Sequence, residues 1–234
     1  MDIEGQLSEE ERSLLTKAIT EAQPKVVLEI GTWLGGGSTI HILRALHSNG
    51  EGHLWGIEID RSIYHKMMHN IRRAAPECVG RFTPIFGRSQ DVIPKWITQN
   101  GSAFRIDFAF LDGGNNPAEQ ITEFHLLDAH IPVGGQLMAH DANMRKGKWL
   151  VPYLRLLDNW EVKIHNASEV GLLNAKKMAL QPSGSSRRAA RAHLSKMRCN
   201  PVEVAAAILP SRICRLVLGL LPNRLARRLS DGRN

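Results

Sequence analysis

At 234 residues with 43% hydrophobic side chains, the chain suits one α/β domain with a sizeable core and an appendage. Its three cysteines (Cys78, Cys199 and Cys214) are odd in number and lack metal-ligand spacing, which argues against a disulfide framework or a zinc site and for a reducing, cytoplasmic setting. The net charge of +7 is concentrated beyond Gln181, where eleven Arg and Lys face only Glu203 and Asp231; residues 1–180 are slightly acidic, so a nucleic-acid reading of that part has no charge support.

The start, MDIEGQLSEEERS, is acidic and polar, without the features of a targeting signal, and no run reaches transmembrane length. Ser8-Glu9-Glu10-Glu11 forms a capping box, and Leu14, Leu15, Ala18 and Ile19 make the apolar stripe of a helix that stops near Pro24. Strand-like runs follow at Lys25–Ile30, His53–Ile59, Phe82–Phe86, Ile106–Leu111, Gly135–Ala139, Trp160–His165 and Val170–Leu180. Helical segments lie between most of them, at Ser38–His47, Arg61–Ala74, Gln90–Gln99, Pro117–Ala129 and Lys148–Leu157. This alternation predicts a doubly wound, mostly parallel seven-stranded sheet with helices on both faces. The short connection Asn166–Glu169 makes the last two strands a hairpin, so the final strand enters antiparallel. Gln181–Ser186 reads as a linker, dividing a domain over 1–181 from a basic helical tail over 182–234.

Between the first strand and the next helix lies Val26–Thr39, VVLEIGTWLGGGST. Glycines there allow sharp turns and close approach to a ligand, and the N–H groups opening the following helix attract negative charge. The order is neither G-x-G-x-x-G nor a phosphate loop. An ordinary glycine-rich turn remains an alternative from this segment alone. The segment resembles motif I of class I S-adenosylmethionine-dependent methyltransferases, E-x-G-x-x-x-G-(G)-S-T. The resemblance implies a Rossmann-like fold in which Glu29 sets the loop, the backbone of Gly31, Thr32, Trp33, Gly35 and Gly36 lines the cofactor, and Ser38 reaches its carboxylate.

Open α/β sheets bind ligands at the C-terminal ends of their strands. The second strand ends in Glu58 and Asp60; by resemblance Glu58 binds the ribose, while Asp60 is the second choice and suits a helix N-cap. The third strand leads into GRSQDVIP, similar to the G-x-S-Q-D-x-(I/L)-P segment of catechol and caffeoyl-CoA type O-methyltransferases, which implies that Ser89 and Gln90 meet the adenine ring. Ser89 also reads as a helix cap. The fourth and fifth strands deliver Asp112, then His140 and Asp141, a set able to hold Mg²⁺ or another divalent cation. In metal-dependent relatives acidic groups at these positions hold the ion that activates the acceptor hydroxyl. His140 is thus a metal ligand beside Asp112 and Asp141, or a general base, or a supporting group. Asn115 and Ala142 depart from the catechol pattern. The D-G-x-H … G-G-x-x-x-x-H-D pattern of small-molecule and sugar O-methyltransferases fits better, with its first His replaced by Asn115. Loop residues Asn116, Asn143, Arg145, Lys146 and Lys148 reach a polar acceptor or are merely solvated.

The expectation is a methyltransferase acting on a hydroxyl of a small molecule or sugar, with or without a metal. The alternative is a cofactor-binding protein with impaired chemistry; a nicotinamide-dependent dehydrogenase is disfavoured by the glycine order. Ile208–Leu221 reads as a basic amphipathic helix, followed by Arg224, Arg227 and Arg228. Residues 201–230 suit an anionic membrane surface, their own domain or a second copy in a homodimer; nucleic acid is disfavoured for want of aromatic side chains.

Overall fold

The computed structural model describes residues 3–101, 103–114, 116–201 and 203–204. The expectations for Asn115 and for the basic segment from Ile208 onward lie outside the described residues. Seven strands form one sheet: β1 (Val26–Ile30), β2 (His53–Glu58), β3 (Phe82–Phe86), β4 (Phe108–Leu111), β5 (Gln136–His140), β6 (Trp160–His165) and β7 (Leu172–Lys177). Their order is β3-β2-β1-β4-β5-β7-β6, parallel through β5, with β7 antiparallel to both β5 and β6. The fold is the expected Rossmann-like one.

Among the described residues, seven α-helices accompany the sheet: α1 (Glu9–Ala22), α2 (Thr39–Asn49), α3 (Arg61–Ala74), α4 (Ser89–Asn100), α5 (Pro117–Leu127), α6 (Leu150–Arg155) and α7 (Gly184–Cys199). Alternation along β1 shows how the layers are built. Leu28 and Ile30 join a core with Ile93 of α4, Phe124 of α5 and Leu154 of α6, whereas Val27 joins a core with Leu15, Leu43 and Met67 from α1, α2 and α3. A strand sandwiched this way must be apolar on both sides, which is why VVLEI reads as a continuous run. The one polar member, Glu29, is fully buried.

The predicted capping box is present: the Glu11 carboxylate accepts from Ser8 N–H at 2.9 Å, and Ser8 Oγ accepts from Glu11 N–H at 3.3 Å. The expected linker at Gln181–Ser186 is different. Ser183 caps α7 by accepting from Ser186 N–H, and Asp158 accepts from Ser183 N–H at 2.9 Å and from the Ser186 hydroxyl at 2.8 Å. These serines are cap and anchor residues, because α7 returns to α6 and buries Ala190 and Leu194 in the core. Among the described residues, no helix is long and apolar enough to cross a membrane.

The strand order reverses between β1 and β4, which opens a crevice at their C-terminal ends. Gly31, the first residue after β1, has φ +89°. A Cβ there would sit 2.6 Å from the backbone of Asp112 at the end of β4, so only glycine lets the two strand ends approach.

Candidate active site

A cavity of about 310 Å³ lies in this crevice. Its walls come from the ends of β1 (Gly31, Trp33), β2 (Glu58), the start of α4 (Ser89, Gln90) and the end of β4 (Asp112). Glu58 is held rigidly. One carboxylate oxygen accepts from Ile59 and Asp60 N–H, both at 2.9 Å, and the other accepts from Trp33 N–H at 3.0 Å. A carboxylate offers about four acceptor positions, so three such bonds fix its orientation and leave one for a ligand hydroxyl. Asp60 is engaged elsewhere: it caps α3, accepting from Ser62 N–H at 2.8 Å and Ile63 N–H at 3.0 Å.

Other expected cofactor residues support the cavity without lining it. The Ser38 hydroxyl donates to Glu29. Burial pushes the Glu29 carboxyl up to about 8, which favours its neutral form. Thr32 is buried beneath the loop, and the Thr39 hydroxyl donates to its carbonyl at 3.4 Å. Gly35 packs toward Met67 and Ile71 of α3. Gly36 has a steric cause: the N-terminal segment crosses the loop, and a Cβ on Gly36 would meet the carbonyl oxygen of Ile3 at 2.2 Å. Gly5 packs against Gly36 and Gly37 in return. The same crossing brings Gln6 to the cavity wall.

Ser89 is the first residue of α4 and makes no cap; Arg88 takes the N-cap position. The Ser89 hydroxyl instead donates to Glu123 of α5 at 2.6 Å. Burial pushes the Glu123 carboxyl up to about 7, against the lowering effect of that hydrogen bond. Glu123 also lines the cavity, and its second oxygen is buried without a protein partner. No motif in the sequence marks Glu123 out. Its signal was positional, since Gln120, Glu123 and Leu127 share the helix face that α5 buries.

Beside Asp112 the cavity meets a buried charge cluster. His140 Nδ1 lies 3.3 Å from Asp112 Oδ1 and 3.6 Å from Asp141 Oδ1, and its Nε2 lies 3.5 Å from Glu11 Oε2. Glu11 is fixed by its capping box and by the Ser168 hydroxyl of the β6–β7 turn, which donates at 2.6 Å. Burial opposes the imidazolium, but Asp112, Asp141 and Glu11 outweigh it and raise the His140 pKa. Lys146 enters the same cluster with Nζ 2.7 Å from Asp112 Oδ1 and 3.2 Å from Asp141 Oδ2. Burial opposes its charge as well, yet the two carboxylates raise its pKa. In turn, burial of Asp112 is more than offset by His140 and Lys146, which hold its carboxyl below the usual range. Asp141 sits at φ +61°, a conformation that aspartate tolerates better than most residues.

Residues 28–142 match a family model described as a methyltransferase domain. The chain carries a methyltransferase domain. No curated protein sequence matches it. The fold of this domain is that of class I S-adenosylmethionine-dependent O-methyltransferases. An O-methyltransferase from Bacillus cereus, solved in complex with SAH, aligns with a TM-score of 0.62 at 18% identity, covering 74% of this chain and 82% of that one. The O-methyltransferase TomG from Streptomyces achromogenes, involved in tomaymycin synthesis and solved with SAM, aligns at 0.61 and 20% identity over 74% and 82% of the two chains. A methyltransferase from Geobacter sulfurreducens gives 0.60 and 16% over 74% and 81%. At these identities the likeness establishes the fold.

Within the methyltransferase domain, Asp112, His140 and Asp141 bring ligand atoms within 4.8 Å of one another, a donor set suited to a hard divalent ion. Asp112 Oδ1 and Asp141 Oδ2, however, already hold the Lys146 ammonium. An ion at their centre would compete with that ammonium for Asp112 Oδ1, so the set fits a metal poorly while Lys146 stays in place. Of the other loop residues, Asn116 caps α5 by accepting from Ala118 N–H at 2.8 Å, and Asn143 donates to Asn166 at 2.9 Å. Lys148 pairs with Glu203 at 3.8 Å.

Proposed function

We propose that this protein uses S-adenosylmethionine to methylate a hydroxyl group of a small molecule or sugar. The observation that carries the proposal is a shared wall: Asp112 lines the cavity beside Glu58, Ser89 and Gln90, and also belongs to the buried cluster with His140. A nucleoside-binding cavity thereby meets a proton-accepting group. The SAH and SAM named for the Bacillus and Streptomyces proteins support the same ligand here. Glu58 suits a ribose hydroxyl, and Ser89, Gln90 and Glu123 offer donors and acceptors to an adenine edge.

S-adenosylmethionine supplies a methyl group already activated on a sulfonium. The chain's residues have to align the acceptor oxygen with that carbon and take up the hydroxyl proton. As the oxygen–carbon bond forms, the sulfur–carbon bond breaks and its electron pair stays on sulfur, leaving a thioether. The hydroxyl proton goes to His140, acting in its neutral form. This base role is favoured over metal ligation because Lys146 holds the carboxylates that an ion would need.

Calorimetry with S-adenosylmethionine and with SAH tests the first half. Binding of both in equimolar ratio is expected, and binding of neither would sink the proposal. A screen of hydroxyl-bearing acceptors, read by SAH release, tests the second half. SAM binding without transfer to any acceptor, together with no effect of His140→Ala, would instead mark a binding protein with impaired chemistry.

A further inference from the structure

Lys146 stands in a stretch, NMRKGK, that reads as a solvated basic loop, yet it is 3% exposed. The chain doubles back directly after β5. Met144 N–H donates to the Asp141 carbonyl at 3.0 Å, and Ala142 and Asn143 N–H donate to the Gly171 and Val170 carbonyls of the hairpin. The short 3-10 turn Arg145–Lys148 then packs against α5, and Lys146 Nζ comes to rest between Asp112 and Asp141. The two carboxylates arrive from neighbouring strands, and the ammonium bridges them.

We propose, on the strength of the methyl-transfer reading above, that Lys146 is the resident cation of this site and occupies the place of a divalent ion between Asp112 and Asp141. The donor atoms argue for it first. Asp112, His140 and Asp141 converge closely enough to surround one centre, and Nζ engages one oxygen of each aspartate, including the Asp112 Oδ1 that lies nearest His140. Electrostatics argue for it independently. Two aspartates side by side at buried strand ends repel each other and need a compensating cation. A lysine anchored by its own backbone supplies that charge permanently, whereas a metal supplies it only when bound. An incoming ion would have to expel a buried ammonium from its two carboxylate partners, and an unpaired buried charge is costly. Lys146 thus keeps Asp112 and Asp141 ionised, leaves His140 as the proton acceptor, and places a fixed positive charge beside the reacting oxygen. The activity follows without added metal.

Titration of the full-length protein with Mn²⁺, followed by electron paramagnetic resonance, tests this without needing the acceptor. The wild type is expected to take up no stoichiometric Mn²⁺. Lys146→Gln frees the carboxylates and is expected to gain one Mn²⁺ site, bound about tenfold or more tightly than any wild-type uptake, and Asp141→Asn in that background should remove it. Lys146→Arg keeps the charge and should stay metal-free. A wild type that binds one Mn²⁺ and loses it on Asp141→Asn would overturn the proposal, whether or not the Lys146 variants fold. A Lys146→Gln variant that unfolds cooperatively yet gains no Mn²⁺ would overturn it too. SAH calorimetry on the same wild-type sample separates the two levels: no SAH binding removes the methyl-transfer reading, while the Mn²⁺ result still decides what holds the aspartates.

Discussion

The two halves of the sheet build their parts of the site in opposite ways. On the β1–β3 side the cavity wall is backbone geometry plus one carboxylate, and Glu58 is fixed by N–H groups from its own loop and the neighbouring one. On the β4–β5 side the site is a packed set of charges, in which Glu11, Asp112, His140, Asp141 and Lys146 come from four separate parts of the chain. The first half is a preformed mould; the second is an electrostatic balance in which each member fixes the others. Ligand affinity should therefore follow the first half and turnover the second.

The largest effect is expected at the charge cluster. His140→Ala should lower kcat by about 10²–10⁴-fold, the usual range for a lost general base, while SAH affinity measured by calorimetry stays close to wild type. Equal losses in kcat and in SAH affinity would break the division between the halves.

Glu123 bridges the two sides, and its test is pH. Burial raises its carboxyl to about 7 in the folded state, against the ordinary 4.5 of an exposed glutamate. The folded state therefore holds the proton more tightly, and the associated stability is complete below pH 4.5 and is lost as pH rises toward and through 7. By linkage the loss amounts to about 3 kcal/mol. Glu123→Gln keeps the acceptor for the Ser89 hydroxyl without ionising. Urea unfolding between pH 5 and pH 8 should show a smaller loss of stability for the variant than for the wild type; parallel curves would refute the assignment.

Glu58→Ala probes the mould alone. Loss of a charged hydrogen-bond partner is worth about 1.5–3 kcal/mol, so SAH should bind roughly tenfold to a hundredfold more weakly. Residual turnover at saturating S-adenosylmethionine should stay near wild type, and a collapse of kcat would show that Glu58 serves the chemistry as well. The smallest expected effect is none: dialysis against EDTA should leave methyl transfer unchanged, and loss of activity restored by Mg²⁺ would return Asp112, His140 and Asp141 to metal ligation.

The sequence by itself determined the sheet, the hairpin and part of the cavity wall. Period-two and continuous apolar runs, glycines and cap residues act over a few positions, so Gly31 and the strand end at Glu58 could be placed from neighbours, while the family resemblance singled out Glu58 and the Ser89-Gln90 pair as ligand contacts. It also named Asp112, His140 and Asp141, because a parallel sheet delivers the ends of adjacent strands to one edge. Tertiary structure decided what those residues touch. Ser38 turned inward to Glu29, Ser89 to Glu123, and Gly36 made room for the backbone of Ile3. Glu11 reached His140 from a helix cap 129 positions earlier in the chain, and Lys146 left solvent to join two aspartates. Local patterns state which side chains are apolar and how the backbone turns. Which charges are buried against one another depends on loops folding back over long separations, and only the packed chain fixes that.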